Sequence, residues 1–261
     1  MATLLTEWRG VLTIARRELG AYLESPGTWL AIGGWMAAST VALGAHVLDF
    51  SELSGMVREQ AAGDPSLRAL VDADLAVIVP LLRAELLLAL ILVPLLSMHL
   101  LAGEGRRGTL ELLLSAPRTT GGIVLGKFLA VLVVLLIPMV LTAASTWFLF
   151  AWASPDFGLF LSGHLGLFTA VAFFAAVGVL GSSCFDLPFP AACLSFGLLL
   201  ATILPGWLLG DDAALSRVSV LRRASAFVLG RFALGDVVFF LGLSSLVLFL
   251  ASRRLESRRW R

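Results

Sequence analysis

One stretch of the sequence has the spacing of a nucleotide-binding loop. Gly121, Gly126 and Lys127 match the G-x-x-x-x-G-K part of that motif, but Phe128 stands where a serine or threonine would bind Mg²⁺. The motif also links a strand to a helix, whereas this stretch enters a long apolar segment. We therefore expect no ATP hydrolysis by this chain. We expect Lys127, its only lysine, to reach from a membrane span to the interface.

The histidines and cysteines do not have the spacing of a metal site. His46, His99 and His164 each lie near the end of an apolar stretch, which predicts interface positions. Cys184 and Cys193 are in apolar surroundings, where free cysteines are most often buried packing groups. The sequence thus predicts no metal ligands and no cofactor site in this chain.

A few ionisable residues lie within or beside apolar stretches. We expect Arg83 and Glu85, at the outer end of a span, to pair with each other or with lipid headgroups. Asp186 is expected to cap a helix in a tight turn, and Asp236 to begin the last span. An intramembrane enzyme would need converging catalytic groups, and these residues are scattered. We predict no catalytic residues and no enzyme activity.

The composition indicates an integral membrane protein. Hydrophobic residues make up 59% of the 261 residues and charged residues 14%, against about 25% charged in soluble domains. The net charge of +1 provides no field that would attract nucleic acid. The first thirty residues lack the layout of a cleavable signal, so the mature chain is expected to begin at Met1.

The apolar stretches predict an all-α, polytopic fold with six transmembrane helices in one domain covering residues 1–261. A span needs about 20 helical residues to cross the hydrocarbon layer. The predicted spans are 29–48, 81–102, 123–152, 163–183, 187–208 and 235–251. Residues 49–80 are predicted to be an external loop and 103–122 a cytoplasmic loop. Gly178 and Ser182 form a small-x-x-x-small pair that would let helices approach closely.

Residues 3–20 predict an amphipathic helix lying in the plane of the membrane. Apolar residues recur every three or four positions, with charged residues between them. The apolar positions are Leu4, Trp8, Leu12, Ala15 and Leu19, and the charged ones include Arg16, Arg17 and Glu18. Pro26 ends this helix because proline disfavours a helical conformation in the residue before it.

The positive charges predict the orientation. Arginines are concentrated in the N-terminal helix, the 103–122 loop and the last ten residues, so both termini are expected in the cytoplasm. Residues 209–234 also contain arginines, although six spans place them outside. We interpret them as an interfacial or re-entrant helical element; a miscounted span is the alternative.

The 103–122 loop predicts a short helix. Gly108 permits a sharp turn after the second span, and Thr109 can cap the helix that follows. Glu111 lies near the positive end of that helix, and Pro117 ends it after about two turns. Such a helix is not stable alone and must pack on its own spans or on a partner. The residues alone leave an ordinary connector and a docking element equally open.

Three separated motifs resemble the ABC-2 permease family. They are the run 16–26 (RRELGAYLESP), the run 104–117 (EGRRGTLELLLSAP) followed by 123–128 (IVLGKF), and the run 255–261 (LESRRWR). The likeness is greatest to gliding-motility-type permeases and to the permease of nitrous oxide reductase maturation. Gly121-Gly122 and the 182–190 loop depart from the family pattern.

The resemblance implies a permease that moves an unidentified substrate, with export favoured, across a bacterial inner membrane. It implies two copies of a separate ATPase that carries ATP and Mg²⁺, a second permease subunit in a homodimer or heterodimer, and contact with membrane lipid. The short helix would be the coupling helix, and the residues that couple to the ATPase would be Glu104, Arg106, Arg107, Gly108, Thr109, Leu110, Glu111, Leu112 and Leu113. The N-terminal helix, with Trp8, Arg16, Arg17 and Glu18, would brace the ATPase. The alternative is an ATPase-coupled scaffold that acts on a periplasmic partner through residues 49–80 without transport.

Overall fold

The computed structural model describes residues 2–60, 72–115, 119–208, 220–231 and 233–259, and these residues are helical or in short connections. The α-helices are α1 (Ala2–Glu24), α2 (Pro26–Gln60), α3 (Val79–Ser97), α4 (His99–Arg107), α5 (Leu110–Ser115), α6 (Thr120–Trp147), α7 (Phe157–Cys184), α8 (Pro188–Leu208), α9 (Val220–Val228) and α10 (Leu234–Arg258). A π-helical turn, Asp74–Ile78, leads into α3, and a 3₁₀ turn, Phe148–Ala151, follows α6.

Five helical segments are long and apolar enough to cross a bilayer. They are Pro26–Val57, Asp74–Arg107, Thr120–Ala151, Phe157–Cys184 and Leu234–Arg258. The predicted fifth span corresponds to α8, Pro188–Leu208, whose described side chains, Pro188–Leu204, form an apolar segment shorter than these five. The polytopic helical fold is therefore confirmed, with five candidate spans among the described residues.

The break between α1 and α2 lies where the sequence predicts it. Helix α1 ends at Glu24, and Pro26 opens α2 at a position where a missing N–H costs nothing. The indole Nε1 of Trp29 donates a hydrogen bond to the Leu23 carbonyl at 2.8 Å and ties the two helices together.

The boundaries of the first two spans differ from the prediction. Helix α2 continues to Gln60, twelve residues beyond the predicted end, so part of the predicted 49–80 loop is helical. The polar residues there predict a loop, but the Ser51 and Ser54 hydroxyls donate to carbonyls three residues earlier, within the helix. The second span begins at Asp74 rather than 81, and residues 61–71 lie outside the described residues.

Helix α7 is the centre of the bundle, packing against α3, α6, α8, α9 and α10. Its glycines permit this because a side chain on them would collide with a neighbour: a Cβ on Gly178 would lie 1.9 Å from the Ser97 Oγ. The Ser182 hydroxyl receives hydrogen bonds from the Leu101 and Ala102 amides, at 2.9 and 3.0 Å. The predicted small-residue pair is thus a close helix contact.

The two ends of the bundle contain different kinds of contacts. The C-terminal end of α7 lies beside α4, and the turn after it bonds to the end of α10. At the other end, Trp147 packs against Phe157 and Phe160, as expected for an aromatic belt at a membrane interface.

The segment predicted to be interfacial or re-entrant contains the nine-residue α9, and residues 209–219 lie outside the described residues. Its buried Phe227 packs so close to α7 that a Cβ on Gly166 would lie 2.2 Å from the Phe227 Cβ. Arg223 pairs with Asp236 and lies 4.2 Å over the Phe239 ring. Arg223, one of the arginines that six spans place outside, thus lies at the end of α7 opposite to α4 and α5.

Candidate functional site

A glycine sets the direction of the short helix after the second span. Gly108 has a φ of 69°, a left-handed conformation that favours glycine. Its amide donates to the Gly105 carbonyl, and the Thr109 amide donates to the Glu104 carbonyl, both at 3.1 Å. These two bonds form a Schellman motif that ends α4. The turn predicted from Gly108 is therefore present.

Helix α5 begins directly after this turn, at Leu110. Its six residues agree with the short helix predicted for the loop. Thr109 precedes it, but its hydroxyl donates to the Glu104 carbonyl at 3.4 Å. Residues 116–118, including the predicted stop at Pro117, lie outside the described residues.

Helix α5 has one buried and one exposed side. Leu110 is 7% exposed and anchors the helix, whereas Leu112 is 73% exposed. Glu111 is also exposed, and the side chain of Leu113 lies outside the described ones. An exposed leucine beside a carboxylate, on a helix too short to be stable alone, makes a small projecting surface.

Four charged residues converge where α1, α4 and α6 meet. The Lys127 Nζ lies 3.1 Å from the Glu18 Oε1 and 3.1 Å from the Glu104 Oε1. The Arg17 Nη2 lies 2.7 Å from the same Glu18 oxygen and 3.0 Å from the same Glu104 oxygen. We call these four residues the charge cluster. It joins α1, α4 and α6, which are distant in sequence.

The sequence predicts that Lys127 reaches the interface, and the structure shows its side chain completely buried, with the ammonium between two carboxylates. Removing an ammonium from water costs several kcal/mol unless opposite charges surround it. The two carboxylates supply that compensation as ion pairs, although the angles between them and the Lys127 ammonium do not meet the criteria for a hydrogen bond. Sequence reasoning missed this pairing because the partners lie 109 and 23 positions before Lys127.

Arg17 closes the cluster at its exposed edge. Its hydrogen bond to the Glu18 carboxylate raises the pKa of Arg17, with further contributions from both carboxylates and an opposing one from burial. The guanidinium therefore remains charged, and the cluster contains two cations and two carboxylates. The cluster is close to neutral as a unit, which permits it to lie at the edge of an apolar bundle.

Close packing brings α1 onto α6 at this point. A Cβ on Gly126 would lie 2.9 Å from the Ile14 Cβ and 2.9 Å from the Val11 carbonyl oxygen. Val11 and Ile14 are buried, whereas Trp8 and Leu12 are 54% and 59% exposed. Helix α1 therefore has a second apolar side facing away from the bundle, available to the membrane surface.

The other residues predicted for this site are spread around α4 and α1. Arg106 and Arg16 are exposed, and the Arg107 Nε donates to the Gly103 carbonyl at 3.3 Å. Among the predicted coupling and interface-helix residues, the structure brings Arg17, Glu18 and Glu104 together with Lys127. It leaves Trp8, Arg16 and Arg106 at the surface.

Asp186 forms a further contact that sequence reasoning missed. Its carboxylate accepts a hydrogen bond from Arg258, near the end of α10, instead of capping a helix as predicted. A Cβ on Gly105 would lie 2.7 Å from the Asp186 Oδ1. The α7–α8 turn, α4 and the C-terminal helix therefore meet at the same end of the bundle as the charge cluster. The signal available in the sequence was the basic C-terminal tail together with Asp186, the one carboxylate of the α7–α8 turn.

The predicted pairing of Arg83 with Glu85 is wrong. Glu85 is fully buried with neither carboxylate oxygen hydrogen-bonded, whereas Arg83 is exposed. The two side chains are two positions apart on a helix and so point in different directions. Asp236 lies in the first turn of α10, as predicted.

The histidines and cysteines form no metal site among the described residues. His164 Nδ1 bonds to the Phe160 carbonyl within its own helix, at 2.8 Å. Cys193 is exposed and Cys184 partly exposed, so the prediction that both are buried is wrong. An apolar sequence around a cysteine does not distinguish burial in the bundle from exposure on its apolar outside.

The chain matches a known family over most of its length. The model of the ABC-2 family transporter proteins matches residues 25–222, which is more than half of the chain. The chain therefore belongs to the ABC-2 transporter family and is a transmembrane component of an ABC transporter. Such a component works in general with an ABC ATPase and a second permease subunit. No curated protein matches the chain.

Proposed function

We propose that this chain is a permease subunit that moves its substrate outward when a separate ATPase dimer binds ATP and pushes on α5. The observation that carries the proposal is α5 with its exposed Leu112, joined through the Gly108 turn to α4, the helix that carries Glu104 of the charge cluster. A small apolar surface with an adjacent carboxylate fits a partner protein better than it fits an ordinary connector.

The connections of α5 support transmission of force. The Gly108 turn fixes α5 to α4, which follows α3 after the single residue Met98. Displacement of α5 therefore acts on the second span. Glu104 carries the displacement to α6 through Lys127, and Glu18 links α1 to the same lysine. One push on α5 would tilt two spans and the surface helix together.

The test is coupled ATP turnover by the reconstituted complex of this chain with its ATPase. Leu112→Glu places a charge in the centre of the proposed contact, and we expect at least a tenfold loss of coupled turnover, since a central apolar contact contributes about 1–2 kcal/mol or more. Leu53→Glu is the matched control, an exposed leucine on α2 in the part beyond the predicted span.

Unchanged turnover in Leu112→Glu would exclude the coupling role of α5. Equal losses in both variants would show that a new charge on this protein is harmful wherever it is placed. Comparable amounts of both variants in the membrane, measured by immunoblot, make the comparison valid.

The second candidate function is an ATPase-coupled scaffold that acts on a periplasmic partner without transport. Helix α2 favours it: 35 residues extend about 52 Å, against a hydrocarbon layer of about 30 Å. The excess carries the exposed Asp49 and Glu52. Substrate-stimulated ATP turnover in liposomes supports the permease. Capture of a periplasmic protein that depends on these two carboxylates, without such stimulation, supports the scaffold.

A further inference from the structure

A cavity of about 680 Å³ opens between the α1–α2 elbow and the second span. This volume is in the range of sites that hold small molecules. One end is polar, with Glu18, His99 and Arg107, and the other is apolar, with Leu30, Leu92 and Leu95. A cavity divided in this way fits an amphiphile better than a uniformly polar or apolar ligand.

The polar end is electropositive. Arg107 forms no ion pair with any described residue, and a Cβ on Gly103 would lie within 4 Å of both Arg107 and His99. Glu18 also lines this end, but Arg17 and Lys127 neutralise its charge. An unpaired guanidinium beside an imidazole favours an anionic group.

The start of α2 adds to this potential. Gly27 and Thr28, in its first turn, line the same cavity. The Thr28 amide donates to the Ser25 carbonyl at 3.1 Å, so the contribution of this turn is the positive end of the helix dipole rather than a free amide. This contribution supports the one from Arg107, which lies on the facing helix.

The apolar end follows the direction of the membrane span. Leu92 precedes His99 by seven residues, which separates them by about 10 Å along the helix. The wall is held in place by Tyr22, whose hydroxyl donates to the Leu96 carbonyl at 2.8 Å. Burial raises the pKa of Tyr22, so this hydroxyl stays a neutral donor. An acyl chain lying along Leu92 and Leu95 would place its headgroup beside Arg107.

We propose that this cavity, which we call the elbow cavity, binds one anionic phospholipid. The phosphate lies between Arg107 and the first turn of α2, and one acyl chain extends along Leu92 and Leu95. A zwitterionic lipid also presents a phosphate, but it brings a second cation to this electropositive end, and a free phosphate would leave the leucines uncovered. The proposal does not depend on ATPase coupling, because the cavity is formed by this chain alone.

The test is native mass spectrometry of the delipidated full-length chain with dioleoylphosphatidylglycerol or dioleoylphosphatidylcholine. We expect one phosphatidylglycerol per chain, bound about tenfold more tightly than phosphatidylcholine, because a charge-assisted hydrogen bond contributes enough free energy for that factor. Arg107→Gln removes the preference, whereas Arg106→Gln, which changes an arginine outside the cavity, keeps it.

A filling variant tests the location of the lipid. Ala31 lines the elbow cavity, and Ala31→Trp is expected to abolish phosphatidylglycerol binding, whereas Ala37→Trp, on an exposed position of the same helix, leaves it unchanged. Helix content by circular dichroism must be equal in all variants.

Three results with these lipids and variants would overturn the proposal, and full competition by inorganic phosphate would be a fourth. The first is equal affinity for both lipids in the unmodified chain, and the second is unchanged binding in Ala31→Trp. The third is conversion of a dimer to a monomer by Ala31→Trp with lipid binding retained, which would show that a second copy occupies the cavity. Inorganic phosphate at the lipid concentration is expected not to compete; full competition would show a simple anion site.

Discussion

Lys127 is the residue on which three helices converge. Its ammonium is buried between two carboxylates from α1 and α4, while Arg17 binds the same carboxylates from the exposed side. Such an arrangement adds little net stability compared with apolar packing, but removal of one partner leaves uncompensated charge. The cluster therefore fixes how α1, α4 and α6 are placed relative to one another.

Lys127→Met is expected to destabilise the protein strongly. Methionine keeps the apolar stem and removes the charge, which leaves Glu18 and Glu104 with Arg17 alone. We expect a loss of about 3 kcal/mol in the free energy of unfolding, the range found when one partner of a buried ion pair is removed. Thermal unfolding of the purified protein in detergent measures it.

Arg17→Gln is the control at the residue scale. The Arg17 side chain is 60% exposed, so its loss should cost about 1 kcal/mol or less. Equal destabilisation by both substitutions would mean that the buried lysine has no special role in holding the three helices.

At the scale of elements, the packing of α1 on α6 depends on a single glycine. Gly126 allows the backbone of α1 at Val11 to approach α6 more closely than any side chain would permit. This contact keeps Arg17 and Glu18 within reach of Lys127. Helix α1 is thus held by close packing at one turn and by charge at the next.

Gly126→Ala is expected to loosen α1. The added methyl would lie 2.9 Å from the Ile14 Cβ and the Val11 carbonyl oxygen, and such overpacking costs about 1–3 kcal/mol. Faster hydrogen exchange in residues 7–24 is the measurement. Gly121→Ala is the matched control, because a Cβ there meets nothing within 4 Å and alanine favours a helix. Equal exchange in both variants would contradict the account.

The sequence predicts local features of this fold better than its long-range pairings. Gly108, Pro26 and the apolar periodicity predict the turn, the break and the spans because their effects are local. Helix α2 extends twelve residues past the predicted end of the first span at residue 48, because acidic residues such as Asp49 and Glu52 indicate solvent contact rather than the end of a helix. The partners of Lys127 and the burial of Glu85 depend on which helices become neighbours. Local sequence patterns do not predict which helices these are.

At the scale of the whole molecule, the charge cluster and the ion pairs lie at the two ends of the bundle. The charge cluster and the Asp186–Arg258 pair lie at the end of α4 and α5. The Arg223–Asp236 pair lies at the opposite end, where α9 packs on the start of α7. The N-terminal helix and the end of α10 therefore share a side, which fits the orientation predicted from the arginines.

Cysteine labelling tests this sidedness. In a chain with Cys184 and Cys193 changed to serine, Ser115→Cys should react with a membrane-impermeant maleimide only in inverted vesicles. Arg231→Cys, which follows α9, should react only in right-side-out vesicles. Reaction of both positions in the same vesicles would place α5 and α9 on one side and contradict the arrangement.

The most direct measurement of the central claim is site-specific photo-crosslinking in cells that contain the complete transporter. A photoreactive amino acid at Leu112, the exposed residue of α5, is compared with the same amino acid at Leu53 on α2. The account predicts an ATPase adduct from position 112, stronger with a non-hydrolysable ATP analogue in permeabilised cells, and none from position 53. An adduct from position 53 with none from position 112 would show that α5 is not the element that receives the motion of the ATPase.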